Sequence, residues 1–481
     1  MRVLSLLCHL GLGWLIFYAL VLPCVASPAP VGGRELPPES ATSGKAFRRP
    51  VENGWIFVHL EGTPAEIGYQ HGYLLEPEIE DVFRVLRIGM THENKKDWGF
   101  FRTAAEKVLW PHVEAQYREE LNGIVKGLHA RGGEMDLWDV VALNAWLEMS
   151  PSYTNWYDKR HKLAVAPAPT PEHCSAFVAT GSYTRDGKIV IAHNNWTEYK
   201  EGSRWNAIFD IVPSKGHRIL MDGMPGLIHS GDDFGMNDSG LAITETTIGY
   251  FNGFDPNGVP EFVRARKAMQ YATSIDEFAR IMKQGNNGGY ANTWLIADTK
   301  TNEIGSLELG LKHVTLQKKT DGYFVGSNFP QNKKLIRDET DFPVNDLSIS
   351  ANARHVRWKE LMAQYKGQID VALAQKFLAD HWDTYDKKEA PSERTLCGHI
   401  DLSPRGSKPW QSEYGLAGTV QNKAADAAMI HAMSLTAAMG HACGLNFNAA
   451  EHLQKHPEYA WQKDILRDLN SYAWTTFQIA R

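Results

Sequence analysis

The chain has 481 residues, of which 43% are hydrophobic and 22% charged, and its formal net charge is −6. This composition is typical of a globular protein with a large apolar core. The slight acidity gives no basis for binding nucleic acid. The 15 tryptophans suit a large core or an apolar ligand cleft, and composition does not separate the two.

The beginning of the chain has the layout of a secretory signal. One basic residue precedes a long apolar run from Val3 to Leu22, and small residues follow at Ala26 and Ser27. This pattern predicts a signal peptide over residues 1–26. The apolar run is also long enough for an uncleaved membrane anchor. We therefore expect an exported protein, in the periplasm, the medium or a lysosomal lumen.

Export bears on how the cysteines are used. Cys8 and Cys24 lie in the predicted signal, which leaves Cys174, Cys397 and Cys443. An odd number of cysteines in an oxidising compartment favours one disulfide and one free thiol. The simplest pairing joins Cys397 to Cys443 and leaves Cys174 free. Two buried thiols at 397 and 443 are the alternative.

The first third of the chain is predicted to be helical after an unstructured start. Residues 27–52 are rich in proline, glycine and serine, which is typical of a disordered lead-in. Apolar residues at three- and four-residue spacing predict helices within 63–131, and Asp136 is a plausible N-cap for another. Residues 153–173 lack a sustained period and contain three prolines. They predict an exposed linker, of which 162–173 is the excisable part.

After Cys174 the pattern changes to strands. A β-hairpin is predicted over 175–194, with its turn at Arg185 to Gly187. Further strands are predicted at 206–213, 241–250, 292–298, 304–310 and 322–328, with helices at 261–272, 274–284 and 353–365 between them. This grouping predicts a layered α+β sandwich. The chain then divides into a helical fragment, 53–173, and a catalytic fragment, 174–481.

The position of Cys174 is compatible with self-cleavage. In a flexible loop its thiol could attack the carbonyl of His173, and hydrolysis of the resulting thioester would free the α-amine of Cys174. That amine titrates near pKa ~8 and can take the thiol proton, so one residue supplies both nucleophile and base. A small buried hydrophobe before a strand is the alternative, and the residues alone leave both open.

Several motifs, in order, carry a resemblance to a known family. EHCSAFVATGSYTRDGKIVIAHNNW (172–196) and PGLIHSGDDFGMNDSGLAITETTIG (225–249) resemble the autoprocessing region of N-terminal-nucleophile hydrolases of the phospholipase B-like lineage. GTPAEIGYQHG (62–72), NTWLIAD (292–298) and AGTVQNKAADAAMI (417–430) are similar to the isopenicillin N acyltransferase-like family. The resemblance runs from about residue 53 to 450. It implies an α+β, four-layer αββα sandwich and an autocatalytically cleaved hydrolase or acyltransferase.

The same resemblance implies roles for individual residues. Cleavage would fall between His173 and Cys174. Catalytic roles are implied for Cys174 as nucleophile, Asn292 as oxyanion donor and His193. Substrate contacts are implied for Asn194, Trp196, Thr246 and Thr247. Taken singly, each of these polar residues is as compatible with a turn, a strand or a structural hydrogen bond.

One difference from the wider superfamily narrows the class of substrate that the sequence favours. Bile-salt and penicillin hydrolases carry Arg-Asn and a following aspartate where this chain has His193-Asn194-Asn195-Trp196. Their arginine and aspartate are absent, which favours the phospholipase B-like branch. Arg354 is a candidate for the missing positive charge, unless it lies on a solvated helix face. Asn195 and Asn237 begin glycosylation sequons, and the first, inside the proposed site, is expected to be unmodified.

These observations predict an exported, self-cleaving cysteine hydrolase or acyltransferase acting on a fatty-acyl amide or ester. A processed, non-catalytic lipid- or peptide-binding protein is the alternative. A papain-like peptidase is disfavoured, because its cysteine would open a helix within a CGSCW-like segment. We expect no cofactor, metal or nucleic acid. The expected partners are a small acyl amide or lipid, with membrane contact only as substrate, and the protein's own N-terminal fragment.

Overall fold

The computed structural model of the protein describes residues 45–164, 174–232, 234–403 and 416–480. All of them belong to one compact unit, Glu39–Arg481. The predicted signal over 1–26 and the cleavage residue His173 lie outside the described residues. No helix within the described ranges is long and apolar enough to cross a membrane.

Most of the strands form two sheets. They are β1 (Phe47–Arg48), β2 (Ile56–Gly62), β3 (Ser175–Thr180), β4 (Val190–Glu198), β5 (Ala207–Pro213), β6 (Ile219–Gly223), β7 (Gly235–Asn237), β8 (Leu241–Thr247), β9 (Asn292–Asp298), β10 (Glu303–Leu309), β11 (Val314–Lys319), β12 (Gly322–Gly326), β13 (Trp382–Asp383), β14 (Lys388–Glu389), β15 (Ala417–Asp426), β16 (Ser434–Met439) and β17 (Thr475–Gln478). One sheet has the order β1-β2-β5-β6-β7-β8-β9-β10-β11, and the other β12-β3-β4-β15-β16-β17. β13 and β14 form a separate pair.

The helices lie before, between and after the strands. They are α1 (Pro64–Leu74), α2 (Glu76–Asn94), α3 (Trp98–Ala104), α4 (Ala115–Arg131), α5 (Leu137–Asn144), α6 (Trp146–Glu148), α7 (Thr154–Arg160), α8 (Tyr199–Gly202), α9 (Glu261–Tyr271), α10 (Ile275–Lys283), α11 (Lys333–Glu339), α12 (Ser350–Gln364), α13 (Val371–Leu378), α14 (Ala427–His431) and α15 (Ala449–Lys455).

Alternating side chains along the strands build the layers. On β3, Ala176 and Val178 pack between the two sheets, whereas Phe177 and Ala179 pack against α12 and α13. The outer face of the larger sheet buries its apolar residues under α1, α2, α4, α5, α9 and α10. The order is therefore helix, sheet, sheet, helix, and the predicted four-layer αββα sandwich is confirmed. The predicted hairpin, the later strands and the capping role of Asp136 are also present.

Glycines set the closest helix contact. α1 and α4 cross with Gly68 and Gly72 facing Gly123 and Gly127, and a Cβ on Gly68 would lie 1.9 Å from the carbonyl oxygen of Glu120. No residue larger than glycine fits there without moving one backbone. This contact is why the GYQHG motif contains glycine inside a helix, where glycine is otherwise unfavourable.

Two predicted boundaries were wrong. The lead-in was expected to be disordered to residue 52, but Phe47–Arg48 forms β1, which pairs with β2, and Phe47 stacks on Phe57. The linker was expected to begin at 153, but Thr154–Arg160 is helical, because Tyr153 and Trp156 pack against Phe254. Tertiary contacts therefore order both segments despite weak local patterns.

Candidate active site around Cys174

Cys174 lies at the start of β3 and lines a cavity. Its side chain is 2% exposed, and the cavity has a volume of about 320 Å³. Its backbone φ is +127°, a conformation that L-residues rarely adopt and that stores strain. Burial raises the pKa of the Cys174 thiol well above its usual value, and the Glu245 carboxyl adds to the effect. The thiol of the intact chain is therefore protonated and needs a base.

Side-chain alternation along β4 divides the predicted site residues. His193 lies between the sheets, with Nδ1 3.9 Å from Asp232 Oδ2. Asn194 faces the other way, where its Oδ1 accepts the Ser175 amide hydrogen at 3.0 Å and its Nδ2 donates to the Leu396 carbonyl at 2.8 Å. Asn194 therefore fixes the backbone beside Cys174 and is not among the residues that line the cavity.

His193 is neutral where it lies. Burial, and then the Lys423 ammonium, lower its pKa to about 3. Neither ring nitrogen has a hydrogen-bond partner within the described residues. His193 is not among the residues that line the cavity.

Asn195 is the functional candidate that the sequence analysis treated only as a sequon. Its Oδ1 lies 3.9 Å from the Cys174 Sγ, and it lines the cavity. Its Nδ2 is buried and has no hydrogen-bond partner among the described residues. A free amide donor beside a thiol is the arrangement that stabilises charge on a substrate carbonyl oxygen. The signal in the sequence was its position two residues after His193, on the same face of β4.

Arg354 reaches the backbone of Cys174. Although it was expected to be either a solvated helix residue or a site residue, it is fully buried on α12. Its Nη1 donates to the Cys174 carbonyl oxygen at 2.5 Å and to the Ser175 hydroxyl at 3.0 Å, and its guanidinium lies 4.6 Å over the Trp196 ring. A positive charge is therefore held against the backbone of Cys174.

A buried cluster of charged side chains lies beside the cavity that contains the Cys174 thiol. The Lys423 ammonium contacts Asp232 and lies 3.0 Å from Asp222 Oδ2, and all three side chains are buried. Burial and the neighbouring Asp232 raise the pKa of Asp222. Burial also acts to raise the pKa of Asp232, but Lys423, His193 and Asp222 together hold it below its usual value. The two carboxyls therefore differ in acidity, and a proton in the cluster is favoured on Asp222. Asp232 also lines the cavity.

Asn292 lies on the larger sheet. It begins β9 opposite Thr247 of β8. With the amide nitrogen turned toward them, it donates to the Ala291 carbonyl at 2.9 Å and to Glu245 Oε2 at 3.0 Å. Burial, and then Glu261, raise the pKa of Glu245. Asn292 is not among the residues that line the cavity, although its strand partner Thr247 is.

The cavity walls include one of the two predicted threonines. Thr247 lines the cavity, and its hydroxyl donates to the Tyr290 hydroxyl at 2.9 Å. Thr246 packs against Gly326 of β12 and is not a lining residue. Trp196, also predicted, lines the cavity. The remaining walls are rich in apolar and aromatic residues, among them Leu86, Met90, Trp146, Trp205, Tyr250 and Phe251.

Cys397 and Cys443 come together away from the cavity. Both are free thiols, so the predicted disulfide is absent. Each Sγ lies 3.4 Å from Nε2 of His399. The predicted disulfide rested on the number of cysteines alone. That number does not reveal that the His399 imidazole contacts both thiols.

Comparison with known proteins identifies the family. The sequence model of the family described as Phospholipase B matches residues 91–343, more than half of the chain. The chain belongs to the phospholipase B family. This family membership confirms the resemblance that the motifs around Cys174 carry.

Relatives in this family are distant. The putative phospholipase B-like 1 of Caenorhabditis elegans is 27% identical over 331 residues, which cover 62% of this chain and 56% of that protein. The phospholipase B-like 1 of Homo sapiens is 23% identical, over 71% of this chain and 69% of that one. An uncharacterized protein of Archaeoglobus fulgidus is 26% identical, over 58% and 47%. The chain spans about half the length of the first curated relatives that it matches.

Two solved structures show weak overall similarity. One is a mutant of the conjugated bile acid hydrolase from Clostridium perfringens, with a TM-score of 0.33 and 13% identity over 55% of this chain and 88% of that one. The other is penicillin V acylase from Agrobacterium tumefaciens, with a TM-score of 0.31 and 11% identity over 55% and 82%.

Proposed function

We propose that this protein is an exported, self-cleaving cysteine hydrolase or acyltransferase that acts on a fatty-acyl amide or ester through Cys174. The observation that carries the proposal is the buried Cys174 thiol, which lines a largely apolar cavity beside Asn195. The Asn195 Nδ2 has no hydrogen-bond partner in the described part of the chain. Membership of the phospholipase B family supports acyl chemistry.

The first step is cleavage of the bond between His173 and Cys174. The Cys174 thiol attacks the His173 carbonyl carbon, the C–N bond breaks, and a thioester forms while the Cys174 nitrogen takes the thiol proton. Water then hydrolyses the thioester, leaving a carboxylate on His173 and a free thiol and amine on Cys174. The positive φ of Cys174 supports this step, because strain next to the scissile bond is released when the bond breaks. Arg354 donates to the Cys174 carbonyl oxygen and keeps that end of the residue in place while the bond to its nitrogen breaks.

The second step is turnover of substrate. The new α-amine takes the thiol proton, and the thiolate attacks the acyl carbonyl carbon. The Asn195 amide donates to the oxygen that becomes negative. Asn292 is the second candidate donor and would contribute less, because its amide hydrogens already meet Ala291 and Glu245. The leaving amine or alcohol takes the proton from the α-ammonium, and water or an acceptor amine resolves the thioester.

The cavity favours an acyl chain as the bound group. Aromatic and aliphatic side chains form most of its walls, and such walls bind an apolar chain by excluding water. Membrane contact would then arise only through a lipid substrate. The predicted signal at residues 1–26 supports export.

The experiment compares intact mass, N-terminal sequence and turnover of the wild type with those of Cys174→Ala. We expect the wild type to yield a fragment that begins at Cys174 and to hydrolyse an N-acyl amide or a lysophospholipid. We expect Cys174→Ala to remain uncut, inactive and folded, since only one sulfur is removed. Ser182→Ala, an exposed residue just beyond β3, is the matched control and should behave as wild type.

Two outcomes would contradict the proposal. An active chain with an intact bond between His173 and Cys174 would exclude the mechanism. A correctly cleaved protein that binds such lipids but turns none over would favour the lipid-binding alternative.

A further inference from the structure

Four metal-ligand side chains meet outside the cavity. His381 lies between α13 and β13, Cys397 and His399 follow β14, and Cys443 follows β16. One possible ligand atom from each lies within 4.8 Å of those of the other three. Two cysteines and two imidazoles form a donor set that zinc prefers in closed, structural sites.

The distances fit a tetrahedral ion. Nε2 of His399 lies 3.4 Å from Sγ of Cys397 and 3.4 Å from Sγ of Cys443. In a tetrahedral zinc site, Zn–S bonds of about 2.3 Å and Zn–N bonds of about 2.0–2.1 Å place nitrogen and sulfur about 3.5 Å apart. The His399 nitrogen thus has the spacing of a ligand to both cysteines at once.

The surroundings of the two imidazoles match those of metal ligands. Nε2 of His381 is buried and makes no hydrogen bond with the described residues. His399 is fully buried, and its other nitrogen, Nδ1, lies 3.8 Å from Asp401 Oδ1. Asp401 in turn accepts the Tyr199 hydroxyl hydrogen at 2.7 Å. A carboxylate behind a ligating histidine orients the ring and raises its basicity.

One of the four side chains gives the cluster access to solvent. Cys397 is buried, whereas Cys443 is partly exposed, so an ion can reach the cluster from the Cys443 side.

We propose that His381, Cys397, His399 and Cys443 bind one zinc ion in a closed structural site. No metal was expected from the sequence. The site does not depend on the proposed function, because none of the four residues lines the cavity.

The ion would hold a loop against the strand that carries the candidate active-site residues. The carbonyl oxygen of Leu396 accepts hydrogen bonds from Asn194 Nδ2 and from Trp196 Nε1, and Gly398 packs directly on the Trp196 ring. Cys397 lies between these two contacts. Loss of the ion would therefore loosen the support of Asn194, which in turn holds the amide next to Cys174.

The test is the zinc content of the purified full chain, measured by mass spectrometry after dialysis with reductant and added Zn²⁺. We expect one zinc per chain, and at least a tenfold loss in Cys443→Ser and in His399→Ala. Cys174→Ala and His161→Ala, which alter a cysteine and an exposed histidine elsewhere, should retain full zinc. Asp401→Asn should weaken zinc affinity by roughly 10–100-fold while leaving the four ligands in place.

A second measurement keeps the test decisive if a ligand variant unfolds. Cobalt in place of zinc should give the intense visible absorption of a tetrahedral thiolate site in the wild type. Folded, reduced wild type that binds neither ion would overturn the proposal. So would peptide mapping that finds Cys397 and Cys443 joined as a disulfide in freshly purified protein.

Discussion

The Cys174 thiol and the Asn195 amide lie together because β3 and β4 pair as a hairpin and their side chains alternate between faces. On β4, His193 and Asn195 point between the sheets, while Asn194 holds the backbone from the opposite face. A shift of one residue in register would exchange these roles. The site thus depends on a strand register as much as on residue identity.

The first prediction concerns the oxyanion donor. We expect Asn195→Ala to lower kcat by roughly 10²–10³-fold with little change in KM, because the lost hydrogen bond forms only in the transition state. Asn292→Ala should have a smaller effect, since its amide hydrogens already meet Ala291 and Glu245. Kinetics are measured on fully cleaved protein with an unchanged unfolding midpoint. An Asn195→Ala rate within a few-fold of wild type would remove Asn195 from this role.

At the scale of elements, one contact joins the two fragments that the proposed self-cleavage would create. A second contact joins the two sheets. β2 of the N-terminal part pairs in parallel with β5 of the C-terminal part. Lys423 of β15 reaches Asp222 of β6, so one ion pair joins the two sheets. Each contact makes a separate prediction.

The second prediction is that the cleaved fragments stay together. β2 lies inside the larger sheet, and the apolar faces of α1, α2, α4 and α5 are buried against it. Separating the fragments would expose this core and leave the hydrogen bonds of β5 unpaired. We expect co-elution in size-exclusion chromatography and separation only in denaturant. Separate elution in native buffer would show that the strand pairing does not survive cleavage.

The third prediction concerns the buried ion pair. Lys423→Met leaves a buried carboxylate without its cation, and breaking a buried pair in this way costs about 3–5 kcal/mol of unfolding free energy. The double variant Lys423→Met with Asp232→Asn should recover part of that loss, because the remaining Asp222 has a raised pKa and can stay protonated. Urea titration provides the comparison. A single variant as stable as wild type would contradict the assignment of a charged pair.

At the scale of the whole molecule, the four layers enclose a cavity whose wall contains a second buried charge group. The Lys200 ammonium lies 2.8 Å from Glu93, 2.5 Å from Glu198 and 2.9 Å from Glu201. Burial, and then the Glu93 carboxylate, raise the pKa of Glu198 to about 8. Global stability is therefore coupled to pH through the cavity wall.

The fourth prediction follows from this coupling. Between pH 4.5 and about 8 the folded chain keeps the Glu198 proton that the unfolded chain has lost. The contribution of Glu198 to the unfolding free energy is therefore fully present below pH 4.5 and falls as pH rises to about 8, by at most about 1.4 kcal/mol per pH unit. Urea titrations at several pH values should show a flatter profile for Glu198→Gln. Parallel profiles for variant and wild type would contradict the raised pKa.

Local sequence patterns predicted much of the fold. A short β-rich run predicted β9, and Asp136 predicted the start of α5, because these signals depend only on neighbours in the chain. The predictions were wrong for weakly patterned segments that are ordered by contacts with distant aromatic residues, as at Thr154–Arg160. A pattern does not reveal a contact with a residue a hundred positions away.

The sequence by itself determined the layered α+β class, the family resemblance and the candidacy of Cys174, because each is carried by contiguous motifs. Only the tertiary structure decided that Asn195 and not Asn194 faces the thiol, that Arg354 is buried against its carbonyl, and that His381 joins Cys397 and Cys443. The physical reason is the same in each case. Neighbouring side chains in a strand point to opposite faces, and this follows from local geometry alone. Which layer packs on each face depends on segments far away in the chain.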